Sequence, residues 1–271
     1  MSLEKLYTIE VNDAVRQDSE CPFCLLEEHL EKQVLDFTLG SSYMESDVRE
    51  QTDAAGFCRA HMEKMYQYGN ALGNGWILKT RLKYLREKYQ QYEESLEAHA
   101  GTQQNSSQQN NRQSNQQNNQ KITRKNLGLA QRFLAKIKPK AASQSAIVPY
   151  QEADCFVCHR LQKYCSQRME SFLYLLVNDP EFFGEVQESK GFCMRHFPEL
   201  MELCQMKLNP EQREKILPPL VKVMNQNLDR MQDDIDWFIE KYDYRNKEES
   251  WKNSRDAIQR TIGKINGVKL D

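Results

Sequence analysis

Eight side chains in this sequence have the types and spacing of metal ligands. Cys21-Pro22-Phe23-Cys24 is followed, after 33 intervening residues, by Cys58-Arg59-Ala60-His61. Cys155-Phe156-Val157-Cys158 is followed, after 34, by Cys193-Met194-Arg195-His196. In both copies Gly-Phe precedes the second part, as Gly56-Phe57 and Gly191-Phe192. Each copy therefore offers three thiols and one imidazole. Thiolates are strong, soft ligands and a neutral imidazole completes a tetrahedron, a donor set zinc accepts in closed structural sites. The order of the motifs predicts one site from Cys21, Cys24, Cys58 and His61, a second from Cys155, Cys158, Cys193 and His196, and two zinc ions per chain.

Other chemistries fit the same residues less well. Cys21-x-x-Cys24 resembles a redox pair at a helix start, but no βαβ pattern surrounds it. An iron–sulfur cluster with one histidine ligand is an alternative cofactor. Cys155-Phe156-Val157-Cys158-His159 matches a haem-attachment pattern, yet the first copy has Leu25 where that histidine would stand. Cys165 and Cys204 have no counterparts in the first copy and read as core thiols. His29, His99 and His159 read as surface or capping residues, and Glu27, Glu28 and Glu31 as a solvated helix face. No His-Glu-x-x-His, phosphate-binding loop or nucleophile elbow is present.

To act as ligands these residues must sit on helix starts. An i, i+3 pair in a first helical turn points both side chains one way, and the free N–H groups and positive dipole end there favour thiolates. A helix is expected from about Pro22, which suits a first turn, to Leu39, with Gly40 as its stop. A shorter one is expected over Tyr43 to Ala55, with Gly56 turning the chain through a positive φ into a third that begins at Cys58. In the following long helix, Leu78, Leu82, Leu85, Tyr89, Tyr92 and Leu96 step by alternating fours and threes, a heptad-like seam. The second copy reruns the plan. A helix from about Phe156 to Val177 is followed by one opened by Pro180 and ending near Glu188, then by one starting at Cys193. A long helix after Asn209-Pro210 is expected to kink near Pro218-Pro219 and carries the seam Leu220, Met224, Leu228, Met231, Ile235, Phe238 and Tyr242. A last amphipathic helix uses Ala257, Ile258, Ile262 and Ile265, with Asn253 or Ser254 as its cap. Only residues 6–11 read as a short extended segment. The fold class is therefore all-α: two tandem homologous modules, whose long helices are expected to pack about a pseudo-twofold axis.

Charge divides the chain the same way. Residues 1–100 carry 11 basic and 18 acidic side chains, residues 101–153 carry 8 and 1, and residues 154–271 carry 18 and 20. Two acidic modules thus flank a basic connector, unlike domains that present a basic face to nucleic acid. Residues 101–120 are almost entirely Gln, Asn and Ser and read as disordered, because they can bury too little apolar area to offset ordering entropy. Segment 121–140 is basic, with Leu127, Ala130, Phe133, Leu134 and Ile137 on one helical face. It reads as a solubilising connector, with an anionic membrane surface or a nucleic-acid backbone as alternative partners. The expected organisation is a metal-binding module at 1–100, a linker at 101–145 and a second metal-binding module at 146–271. The opening Met-Ser-Leu-Glu-Lys-Leu-Tyr shows no basic region followed by an apolar run, so a cytoplasmic location is expected, where thiols stay reduced and available to metal.

With both motifs, the stretch Tyr7-Thr-Ile-Glu-Val-Asn-Asp13 and Leu39-Gly-Ser-Ser-Tyr-Met44, the chain resembles an uncharacterised bacterial family of unknown function, found mainly in low-GC Gram-positive bacteria. That resemblance implies no activity. The residues themselves predict a non-enzymatic zinc protein acting as an adaptor or regulator through a protein partner. The alternatives are a metal hydrolase or thiol redox enzyme, and a nucleic-acid or membrane-surface binder acting through 121–140.

Overall fold

A computed structural model describes residues 6–113 and 154–268. Segment 121–140 and the expected boundaries at 145 and 146 lie outside the described residues. Among the described residues the secondary structure is helical, with no strand. The α-helices are α1 (Thr8–Arg16), α2 (Pro22–Leu39), α3 (Ser46–Ala55), α4 (Arg59–Gln67), α5 (Ala71–Gln113), α6 (Phe156–Asn178), α7 (Pro180–Glu188), α8 (His196–Lys207), α9 (Pro210–Glu240) and α10 (Ala257–Asn266). The same order of elements occurs twice. A helix behind a Cys-x-x-Cys turn leads to a short helix, a helix behind a Cys-x-x-His turn, and a long helix.

The compact units do not follow that order. One unit comprises Met1–Ser42 together with Phe156–Asp271, and the other comprises Tyr43–Cys155. Residues 6–11, expected to be extended, enter α1 instead, because Val11, Ala14 and Val15 are buried at helical spacing and that period outweighs the short β-branched alternation.

In the first unit α2 lies along α6, and α1 packs on both. The core is aromatic. Phe172 lies with ring centroids 4.9 Å from Phe23, 5.1 Å from Phe182 and 5.7 Å from Phe192. Tilted and edge-on contacts of this kind add to the apolar burial, about 1.5–3 kcal/mol for a fully buried phenylalanine. Leu26, Leu176, Leu200, Leu220 and Met224 surround the rings. Phe23 stands between Cys21 and Cys24, so the first Cys-x-x-Cys turn is anchored among side chains of the second sequence copy.

Local signals fix the other helix starts in this unit. Asp179 accepts hydrogen bonds from Glu181 N and Phe182 N, and Pro180 occupies the first turn of α7. Asn209 and Gln212 form a reciprocal capping box at α9, satisfying two N–H groups that the helix cannot. That helix runs on through Pro218 and Pro219 to Glu240. At α10 the N-cap is Asp256, with no side-chain capping bond. Ser254 instead donates to Trp251 O at 2.8 Å.

The second unit is leaner. Its buried side chains include Val48 and Thr52 of α3, Phe57 just before α4, His61 and Met65 of α4, and Ile77 of α5. Thr80 donates to Asp53 at 2.7 Å, and Asn74 donates to Met65 O at 2.8 Å. Leu78, Leu82, Tyr89 and Leu96 are exposed, so the heptad-like seam of α5 is not a packed core face. The helix extends to Gln113, into the tract rich in Gln, Asn and Ser. Extending a formed helix gains one hydrogen bond per residue fixed, and Gln is a good helix former. Among the described residues no helix is long and apolar enough to cross a membrane.

Candidate metal centres

The eight predicted residues gather into two groups, with partners exchanged. Cys21 and Cys24 stand with Cys193 and His196, while Cys58 and His61 stand with Cys155 and Cys158. In each group one donor atom per residue lies within 4.8 Å of all the others. The expected pairing within each sequence copy is therefore overturned. The two Cys-x-x-His turns are chemically equivalent, so spacing alone cannot choose between them. The apolar face of α2, which packs along α6 beside Phe192, makes the choice.

In the first group Cys21 is the N-cap of α2 in an extended conformation, Pro22 occupies the first turn, and Cys24 follows one turn later. Gly191 turns the chain with φ +73°. A Cβ there would lie 3.2 Å from Met224 Sδ and 3.3 Å from Val223 Cγ1, so glycine serves both the conformation and the close approach. Phe192 then points into the core, and Cys193 and His196 project from the next turn. His196 Nδ1 lies 3.5 Å from Cys21 Sγ, 3.5 Å from Cys24 Sγ and 3.3 Å from Cys193 Sγ. Cys24 Sγ and Cys193 Sγ are 3.5 Å apart.

A disulfide needs sulfurs at about 2.05 Å. Around one tetrahedral zinc with bonds near 2.3 Å to sulfur and 2.0–2.1 Å to nitrogen, neighbouring donors lie about 3.5–3.8 Å apart. The observed spacings match the single-ion arrangement. Cys21, Cys193 and His196 are buried and Cys24 is partly so.

Without metal the group shares its protons. Hydrogen bonds from Cys21 and Cys24 hold the Cys193 thiol well below its usual range, while hydrogen bonds with Cys193 and Cys21 push Cys24 up. Burial works against a charged His196, but hydrogen bonds to Cys193 and Cys21 outweigh it and raise the imidazole to about 9. Ligation would require His196 and the remaining thiols to give up their protons, so metal binding here would release protons.

Behind His196, its Nε2 lies 3.7 Å from Glu27 Oε2 and 2.9 Å from Arg195 Nη2, and Arg195 also pairs with Glu27. At 3.7 Å the Glu27 carboxylate is beyond hydrogen-bond distance of the ring and reaches it through Arg195, with which it pairs. Glu27 reads from sequence as part of a solvated face. One turn beyond Cys24 on a helix that starts at the ligands, its position was the available signal. On the remaining side the C-terminal end of α10 closes over the sulfurs. Gly267 caps that helix in the left-handed region, where a Cβ would sit 3.4 Å from Cys193 Sγ and 3.5 Å from Cys24 Sγ.

In the second group Cys58 is the N-cap of α4, reached through Gly56 at φ +68°. His61 Nδ1 lies 3.2 Å from Cys58 Sγ and 3.3 Å from Cys155 Sγ. Cys158, one turn further on, completes the group. The same ring nitrogen faces the sulfurs in both groups. Cys165 and Cys204 belong to neither group. Burial pushes both thiols up to about 11, in keeping with core packing. His29 and His159 are exposed.

A model described as a family of unknown function, DUF6062, matches residues 1–271. The chain belongs to that family. No curated protein and no solved structure matches it. Membership in DUF6062 carries no activity, so the reading of this protein rests on its two cysteine–histidine groups.

Proposed function

We propose that this DUF6062 protein is a non-enzymatic, cytoplasmic zinc protein whose two Cys3His sites are structural and whose role is that of an adaptor or regulator. The observation that supports it is the first group: an imidazole nitrogen 3.3–3.5 Å from three sulfurs, two of which lie 3.5 Å apart, backed by Glu27 and covered by Gly267. Cys21, Cys24, Cys193 and His196 would hold one ion, and Cys58, His61, Cys155 and Cys158 the other. Zinc bound there supplies folding free energy, on the order of 10–16 kcal/mol in small zinc peptides. A lean core such as that of the second unit gains most from such a contribution. The protein's own residues do the rest. They set the donors at tetrahedral spacing and keep bulk water from the first group.

A protein partner fits the surface of the second unit. Tyr66 and Leu78 are exposed in a groove of about 690 Å³ lined also by Phe57 and Met62. Apolar exposure concentrated in this way is a common mark of an interaction surface.

Elemental analysis of the purified full chain tests the metal reading. Two zinc ions per chain and loss of helicity on chelation are expected. Iron in place of zinc would restore the iron–sulfur alternative, and metal-free protein of unchanged helicity would overturn the reading.

A further inference from the structure

Lys264, in the last turn of α10, is 1 % exposed and belongs to neither sequence motif. Its ammonium donates to Glu20 O at 3.0 Å and to Lys190 O. Glu20 immediately precedes Cys21, and Lys190 immediately precedes the Gly191 turn that delivers Cys193. One side chain therefore ties the approach to the Cys-x-x-Cys turn to the approach to the Cys-x-x-His turn. The main chain of the same residue reinforces this, because Lys264 O accepts from Met194 N at 2.8 Å, between the two ligands of the second turn. Three residues on, Gly267 rests on the sulfurs of Cys24 and Cys193.

The surrounding charge has a matching logic. Glu20 lies 3.6 Å from Lys264 Nζ and pairs with Arg230 at 2.5 Å. Arg260 pairs with Asp234 at 2.9 Å and lies 3.7 Å from Glu20. Arg260 also pairs with Asp256 at 2.9 Å, so three cations face three carboxylates and the cluster is balanced. A buried charge is tolerated only when paired and hydrogen-bonded, and Lys264 meets that need through Glu20 and the two carbonyls.

We propose that Lys264 is a positioning residue of the first metal site, holding its two ligand turns at the separation one ion requires. This rests on the reading that the first group binds metal. The two sites can then be told apart, because Lys264 is tied to the turns of only one of them.

The test is zinc release from the full chain to a chromogenic chelator, comparing wild type with Lys264→Met, which keeps the length and loses the donors and charge. Wild type is expected to release two ions. In the variant one ion should leave about 10- to 100-fold faster, the effect usual for loss of a residue that orients ligands, while the other leaves at the wild-type rate and helicity is unchanged. Lys264→Arg, which keeps charge and donors, should recover part of the loss. Release of both ions at wild-type rates overturns the proposal, and so does equal acceleration of both, which marks general destabilisation. If Lys264→Met does not fold at saturating zinc, Lys264→Gln is judged by the same criteria. A wild-type protein that holds no zinc would instead overturn the metal reading itself, whatever Lys264 does.

Discussion

Cys24 Sγ lies 3.5 Å from Cys193 Sγ, 169 positions further along the chain. This contact exchanges the ligands between the two sequence copies, and double substitutions can detect it. Cys24→Ser combined with His196→Ala removes two donors from one group and should leave one zinc per chain. Cys24→Ser combined with His61→Ala removes one donor from each and should weaken both sites. Pairing within each copy predicts the reverse. Elemental analysis of the two double variants after dialysis against a competing chelator decides between them.

Glu27 gives a second prediction. Its carboxylate stands behind His196 and beside Arg195. Glu27→Gln keeps the shape and removes the charge that holds Arg195 against the ring, so affinity at the first site should fall about 10- to 100-fold with the second site unchanged. Competition titration with a zinc chelator of known affinity reads this directly. Unchanged affinity at both sites would show that the carboxylate is only part of a surface ion pair.

The aromatic core predicts a stability effect independent of metal. Phe172 is fully buried against Phe23, Phe182 and Phe192. Phe172→Ala should cost about 3–5 kcal/mol, the lost burial plus a cavity that the neighbouring rings cannot fill. Denaturant unfolding in excess zinc measures it, and a loss below about 1 kcal/mol would mean that the rings collapse into the space.

The non-ligand thiols set a pH dependence. Burial pushes Cys204 from 9.0 up to about 11. The folded-state value stands above the unfolded one, so the contribution of the protonated thiol to stability is fully present below pH 9 and is lost as the pH rises through about 11. The thiolate is the nucleophile, so Cys204 in the zinc-loaded protein should resist alkylation at neutral pH and label progressively faster as the pH climbs. Peptide mapping by mass spectrometry would follow this. Labelling at neutral pH as fast as in an unfolded control would contradict the burial argument.

Much of the local structure was legible in the sequence. Pro22 and Gly40 bracket α2 as their backbone preferences require, and Gly56 and Gly191 take the positive φ expected before each Cys-x-x-His turn. These are short-range signals, decided within a few residues. The donor residues were legible for the same reason, since i, i+3 spacing is local. Their partition was not, because both Cys-x-x-His turns satisfy the same chemistry and the choice lies in how Phe23 and Leu26 pack against Phe172 and Phe192. Lys264 was hidden more deeply. A lysine on an amphipathic helix reads as solvent-facing, and only tertiary structure shows its ammonium meeting the carbonyls of Glu20 and Lys190. The start of α1 was misread because Thr8, Ile9 and Val11 fit a strand when taken without Ala14 and Val15.

The exchanged ligands also impose an order on biosynthesis. A ribosome has delivered the last donor of the group containing Cys58 and His61 once Cys158 emerges, while Cys21 and Cys24, made earliest of all, must wait for Cys193 and His196. The oldest thiols in the nascent chain are thus the last to be matched, and the helix bearing Lys264 follows later still. A polypeptide that stops before Cys193 leaves Cys21 and Cys24 without their mates.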